Sequence, residues 1–142
     1  MSFSIWDWIR RWGPACIMMA LIFTASGTPG SDLPQFGFLD VLVKKGGHAL
    51  GYALLGISYL RGLAYGRNAS PRQLLLAATL ATLYAATDEY HQRFTPGRTP
   101  SVEDVLTDSI GAIAGVGLWP FVRSSRFAAS VRRKLSYRTS PD

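Results

Sequence analysis

The sequence is poor in cysteine, in histidine and in charge. Its single cysteine, Cys16, lies inside an apolar run, so no internal disulfide exists and a bridge-stapled secreted scaffold is excluded. Those surroundings fit a small apolar side chain against lipid or a neighbouring helix better than a reactive thiol. Charged residues make up 17% of the chain, against the roughly 25% usual in soluble domains. No internal repeat or low-complexity tract stands out, and neither a His-Glu-x-x-His motif nor a cysteine pair is present to mark a metalloprotease or a zinc module. The 142 residues allow one ordinary domain and not two.

What the chain does have is four uncharged stretches separated by short charged joints. They run over residues 12–26, 46–60 (continuing past Arg61 to Tyr65), 73–87 and 105–122. Trp6 and Trp8 precede the first, Trp12 opens it and the three suit an interfacial belt, and Pro14 falls near its start, where a first turn tolerates proline. Some of these runs are short against the roughly 20 residues that cross a hydrocarbon core, but each can be extended. Ser70-Pro71-Arg72-Gln73 reads as N-cap, first-turn proline and capping-box partner, and Ser101-Val102-Glu103-Asp104 repeats the box for the fourth. The third helix then covers residues 71–92 and the fourth 102–122, and both are long enough to span.

Charge placement orients these helices. Eleven of the 15 Lys and Arg residues fall on the N-terminus, on the joint between the second and third helices and on the tail. Only Lys44, Lys45, Arg93 and Arg98 lie on the other side, together with seven of the nine acids. Lys and Arg collect on the cytoplasmic side of membrane proteins, so both termini are expected inside. The expected architecture is an all-α integral membrane bundle of about four antiparallel transmembrane helices, over residues 1–122. Residues 123–142 are expected to form a basic, flexible cytoplasmic tail whose Arg132-Arg133-Lys134 run suits anionic lipid head groups. A rival reading takes Arg10, Arg11, the first apolar stretch and Ala25-Ser26-Gly27 as a cleavable signal peptide; the three helices left would lack a partner for their faces. The net charge of +6 does not point to nucleic acid, because the basic residues flank apolar segments and form no stripe with interleaved aromatics.

In such a bundle the end of helix one, the start of two, the end of three and the start of four share one membrane face, expected outward. The unusual polar groups all sit there. His48 and Tyr52 are four apart on helix two, after Lys45. Tyr84, Asp88, His91 and Gln92 share a face of helix three, with Glu89 beside it. Asp104 and Asp108 are four apart on helix four, above a Gly111-xxx-Gly115 stripe that lets another helix approach closely. Asp104 is explained by capping; Asp108 lies a turn deeper among apolar residues and has no such explanation. Ionisable groups converging near a membrane are a functional-site hypothesis by default.

Three ordered motifs carry a resemblance. The runs Lys44-Lys45-Gly46-Gly47-His48-Ala49-Leu50-Gly51-Tyr52 and Asp88-Glu89-Tyr90-His91-Gln92, continuing to Phe94-Thr95-Pro96-Gly97-Arg98-Thr99-Pro100-Ser101, precede Asp104-Val105-Leu106-Thr107-Asp108-Ser109-Ile110-Gly111. Together they resemble the VanZ-like family over residues 20–120. The resemblance implies a small multi-pass membrane protein. It links the chain to a family named for a member that reduces susceptibility to teicoplanin, a lipoglycopeptide. It implies no settled activity and assigns no catalytic residue.

The residues themselves support several chemistries. His48, Glu89, His91 and Asp108 are the candidate catalytic groups, since histidine beside carboxylates moves protons near neutral pH; the plain alternative is a hydrogen-bonded network that fixes the helices. Lys45, Tyr52, Asp88, Gln92, Arg98 and Asp104 are candidate ligand-binding groups, with Arg98 suited to gripping phosphate or carboxylate unless it only neutralises a nearby acid. Asp88, His91, His48 and a carboxylate of helix four offer nitrogen and oxygen ligands, but their spacing is not diagnostic of a metal and none is assigned. The sequence leaves any cofactor unknown. Two classes of function follow for a protein of the bacterial inner membrane. One binds or processes a lipid-linked or cell-envelope ligand at the outer interface. The other is non-catalytic, its cluster locking the bundle or holding a partner. A proton-coupled transporter fits less well, because four short helices leave little room for an alternating pathway without an oligomer.

Overall fold

Ser4, Leu39, Ser70 and Ser101 stand at the thresholds of the four helices of the computed structural model, which describes residues 4–32 and 37–124. The helices are α1 (Ile5–Ser26), α2 (Asp40–Ala64), α3 (Pro71–Gln92) and α4 (Val102–Ser124), with no strand among the described residues. The chain is therefore all-α. Residues 125–142, which hold most of the expected basic tail, lie outside the described residues.

Two helices begin earlier than the apolar runs imply. Ser4 accepts from the Trp6 amide at 3.3 Å, so α1 starts at Ile5 and carries Trp6, Trp8 and Trp12 within it. In α2, Asp40 and Lys44 pair at 2.7 Å one turn apart, which lets charged residues join the helix ahead of Gly46. The third helix has the expected bounds, and both arms of its capping box are present: the Gln73 amide donates to Ser70 Oγ at 3.3 Å and the Ser70 amide to Gln73 Oε1 at 2.9 Å.

The early start of α1 places Pro14 in the helix interior and not in its first turn. Proline has no N–H, so the Arg10 carbonyl four residues back loses its helical donor. Arg61 of α2 supplies one, its Nη1 donating to that oxygen at 2.8 Å. Arg11 donates in the opposite sense to the Gly62 carbonyl of the last α2 turn at 2.7 Å. At the same end of the bundle Arg123 donates to the Gly66 and Arg67 carbonyls at 2.6 and 3.1 Å.

The α2–α3 pair is central, with α1 on one side and α4 on the other; among the described residues α1 and α4 do not touch. Small residues make the approach close. A Cβ on Gly111 would overlap the Ala49 carbonyl, and one on Gly115 would come within 2.5 Å of the Ala53 oxygen. From the other helix, a Cβ on Gly56 would meet the Ala112 oxygen at 3.0 Å. On α3 the buried face is a ladder of Ala77, Ala81 and Ala85 that passes directly into Asp88, Glu89 and Gln92. Many large apolar side chains point outward, as Leu50, Leu75, Leu83, Ile110 and Leu118 do, while Leu55 and Leu60 of α2 are fully buried. By length and composition, one helix among the described residues, Val102–Arg123, is apolar enough to cross a membrane.

Candidate functional site

The polar ends of the four helices meet at one end of the bundle, and the close α2–α4 contact sets their register. Ala49 lies against Gly111, so the preceding residue on α2 falls beside the residue a turn earlier on α4. His48 Nδ1 is 3.5 Å from Asp108 Oδ2. Asp108 is 2% exposed and its second carboxylate oxygen has no hydrogen-bond partner. One turn toward the starts of α2 and α4, Lys45 pairs with Asp104 at 3.2 Å and with Glu103 at 3.8 Å.

Glu89 differs from its expected surroundings in an informative way. The box of Ser101 with Asp104 does not close. Ser101 Oγ accepts from the Glu103 amide at 3.1 Å, while the Ser101 amide donates to Glu89 Oε1 at 2.6 Å. A carboxylate from α3 has taken the place of the local one, because Asp104 is drawn to Lys45. Glu89 thus holds the start of α4.

Below this layer lies a buried network. Asp88, 3% exposed, accepts on one oxygen from Ser26 Oγ at 2.6 Å, Tyr52 OH at 3.2 Å and Gln92 Nε2 at 3.5 Å. Its other oxygen has no partner. Ser26 comes from α1, Tyr52 from α2 and Asp88 from α3, so three helices are joined at one carboxylate. Tyr84, on the same face of α3, donates to the Met19 carbonyl of α1 at 2.7 Å.

Above Asp108 a cavity of about 200 Å³ opens, lined from α2 by Asp40, Lys44, Lys45 and His48, and from α3 by Glu89 and Gln92. Arg98 and the α4 residues Asp104, Thr107 and Asp108 complete it. Arg98 reaches the rim because Thr95-Pro96-Gly97-Arg98 forms a tight turn. Gly97 has φ +72°, and the Arg98 amide donates to the Thr95 carbonyl at 3.2 Å, an arrangement that requires a residue tolerant of positive φ after proline. Arg98 Nε donates to the Thr28 carbonyl at 3.4 Å, and among the described residues its guanidinium makes no ion pair.

Residues 12–123 match the sequence profile of the VanZ/LLP1 family. The chain belongs to the VanZ-like family. No curated protein and no solved structure gives a significant match. The matched span runs through all four helices and every residue of the cavity.

Of the ten candidate residues read from the sequence of this VanZ-like chain, Lys45, His48, Glu89, Gln92, Arg98, Asp104 and Asp108 line the cavity. Tyr52 and Asp88 lie beneath it in the buried network. His91 is apart, its ring stacked on Phe23 of α1 with centroids 4.1 Å apart. Helical geometry explains the separation: residue 92 continues the line of 88, whereas residue 91 is rotated by about 60° from it, toward α1. Four residues were not among these candidates. Asp40, Lys44 and Thr107 line the cavity; Lys44 and Thr107 lie inside the quoted motifs, and Asp40 lies one turn before Lys44, a signal that helical spacing contains. Ser26 bonds to Asp88, and the expected sharing of one bundle end by the end of α1 and the end of α3 pointed to it. Among the described residues no three histidine, cysteine or carboxylate side chains are grouped to hold a metal ion.

Proposed function

We propose that this VanZ-like protein is a four-helix integral membrane bundle, both termini cytoplasmic, that holds the anionic head group of a lipid-linked or cell-envelope ligand at the outer interface. The arrangement of side chains supports the membrane reading. Helices in lipid gain little from burying leucine, so they pack through small residues and interhelical polar bonds and leave large apolar groups outside. That is the distribution seen in α3 and α4, whereas α2 also buries Leu55 and Leu60. The alanine-rich packed face of α3 lowers its overall apolarity without reducing its lipid-facing leucines. The carbonyl bonds of Arg11, Arg61 and Arg123 lie at the end carrying the excess of Lys and Arg, and the polar cavity lies at the other.

The observation that carries the ligand reading is Arg98 beside the His48–Asp108 pair. Lys44 and Lys45 are engaged by Asp40 and Asp104, which leaves Arg98 as the lining cation without an ion pair among the described residues. A guanidinium grips phosphate by two parallel bonds. A phosphate there sits at the cavity wall shared with His48, whose ring Asp108 orients for proton transfer. Any effect on teicoplanin susceptibility follows from this handling of an envelope lipid.

The test is native mass spectrometry on detergent-purified protein with phosphatidylglycerol and phosphatidylcholine. The wild type retains phosphatidylglycerol preferentially. Arg98→Gln lowers that retention by about tenfold or more, the loss of one charge-assisted contact. Equal retention of the two lipids by the wild type, or no change in Arg98→Gln, overturns the reading. In a teicoplanin-susceptible host at equal abundance, Asp108→Asn abolishes protection while His91→Asn preserves it. A second reading, in which the cluster only locks the bundle, is favoured by the Glu89–Ser101 and Ser26–Asp88 bonds. It predicts that each variant loses protein abundance in step with protection.

A further inference from the structure

Along the outside of the bundle, the seam between α3 and α4 is hollow. Near the cavity end it holds a space of about 390 Å³ walled by Glu89, Tyr90, Arg93 and Val105 among others. Further along lies a second space of about 480 Å³ whose lining is almost wholly apolar, including Leu74, Leu83, Ile113 and Val116. The seam is hollow because small residues, Ala78 and Gly117, stand where larger ones would close it; a Cβ at Gly117 would meet nothing within 4 Å. From Glu89 to Leu74 is about 22 Å along the α3 axis at the usual helical rise. That is most of the roughly 30 Å thickness of a hydrocarbon core.

Glu89 lines both the polar cavity and the near end of this seam. We infer that the seam holds one hydrocarbon chain of a membrane lipid whose anionic head group occupies the polar cavity, with Glu89 at the junction of the two. This deepens the ligand reading above and rests on it. The lining of the seam matches such an amphiphile. Its one cation among the described residues, Arg93, lies at the cavity end over the Tyr90 ring at 5.6 Å. Next to it is the cavity whose Lys44, Lys45 and Arg98 stand among carboxylates, and the remainder of the seam is almost wholly apolar. Two hollows in line along one helix seam, the nearer sharing Glu89 with the polar cup, fit a chain and a head together, whereas a soluble phosphate needs only the cup.

Gly117→Phe fills the seam far from the polar cavity and into open space. The expected result is at least a tenfold loss of long-chain phosphatidylglycerol retention by native mass spectrometry, with binding of water-soluble glycerol phosphate, followed by calorimetry, unchanged. Wild-type retention of phosphatidylglycerol by Gly117→Phe overturns the seam assignment and leaves the head-group reading standing. Failure of the wild-type protein to bind either compound overturns both. A shift of Gly117→Phe from dimer to monomer without loss of lipid also overturns it, since the seam would then be covered by a second copy. A measurement on the unaltered chain guards against misfolding of the variant. Phosphatidylglycerol carrying a diazirine in its acyl chain is expected to cross-link at Leu83 and Ile113; adducts confined to α1 or α2 contradict the inference.

Discussion

Asp88 shows how much a single buried carboxylate organises. Three donors converge on one of its oxygens, and Ser26 makes the shortest of these contacts at 2.6 Å. A hydrogen bond to a buried carboxylate contributes more than one at the surface, and removing Ser26 takes away the shortest of the three contacts. Ser26→Ala is therefore expected to lower the unfolding free energy by about 1–3 kcal/mol, read by reversible unfolding in mixed micelles. A change within a few tenths of the wild type contradicts that assignment. Ser26 could also be read as part of a small-residue cleavage sequence with Ala25 and Gly27. What distinguishes the two readings is a partner 62 residues away, which local composition does not contain.

Among the helices, two features respond to opposite changes. Pro14 withdraws a donor from the Arg10 carbonyl and Arg61 restores one, so the two residues are coupled. Arg61→Gln costs about 0.5–1.5 kcal/mol in the native background and less in Pro14→Ala, where the helix supplies its own N–H. A double-mutant cycle measures the difference, and strict additivity rules the coupling out. The glycines of α4 divide in the same way. Gly111→Ala forces α2 and α4 apart at Ala49 and costs about 1–3 kcal/mol through overpacking. It also separates His48 from Asp108, so under the proposed function phosphatidylglycerol retention falls with it. Gly117→Ala faces open space and stabilises by up to about 1 kcal/mol through helix propensity. Thermal unfolding of the pair in one detergent checks both signs, and equal effects contradict the packing argument.

For the whole molecule, the proposed orientation makes a single prediction. With Cys16 replaced by serine, a cysteine at position 107 should react with a membrane-impermeant maleimide from outside the cell, and one at position 68 should react only after lysis. The reverse pattern inverts the bundle. Both positions lie beside cavities at opposite ends of the described structure, so reagent access is comparable.

Much of the helical order was legible in the chain. The Ser70–Gln73 box and proline 71 set the start of α3, and the gathering of carboxylates and histidines at alternate joints placed them at one end, because antiparallel helices leave no other arrangement. Glycines 111 and 115 announced a close neighbour. What local sequence could not supply was which side chain would satisfy which partner. Asp104 had the right spacing to cap its own helix, yet a lysine on α2 competes for it and Glu89 of α3 takes the capping role. His91 had the right spacing to join the site, yet its rotation carries it to Phe23. Periodicity determines the face and the end of a helix on which a residue lies. Choosing among partners depends on distances across helices, and those exist only once all four have packed.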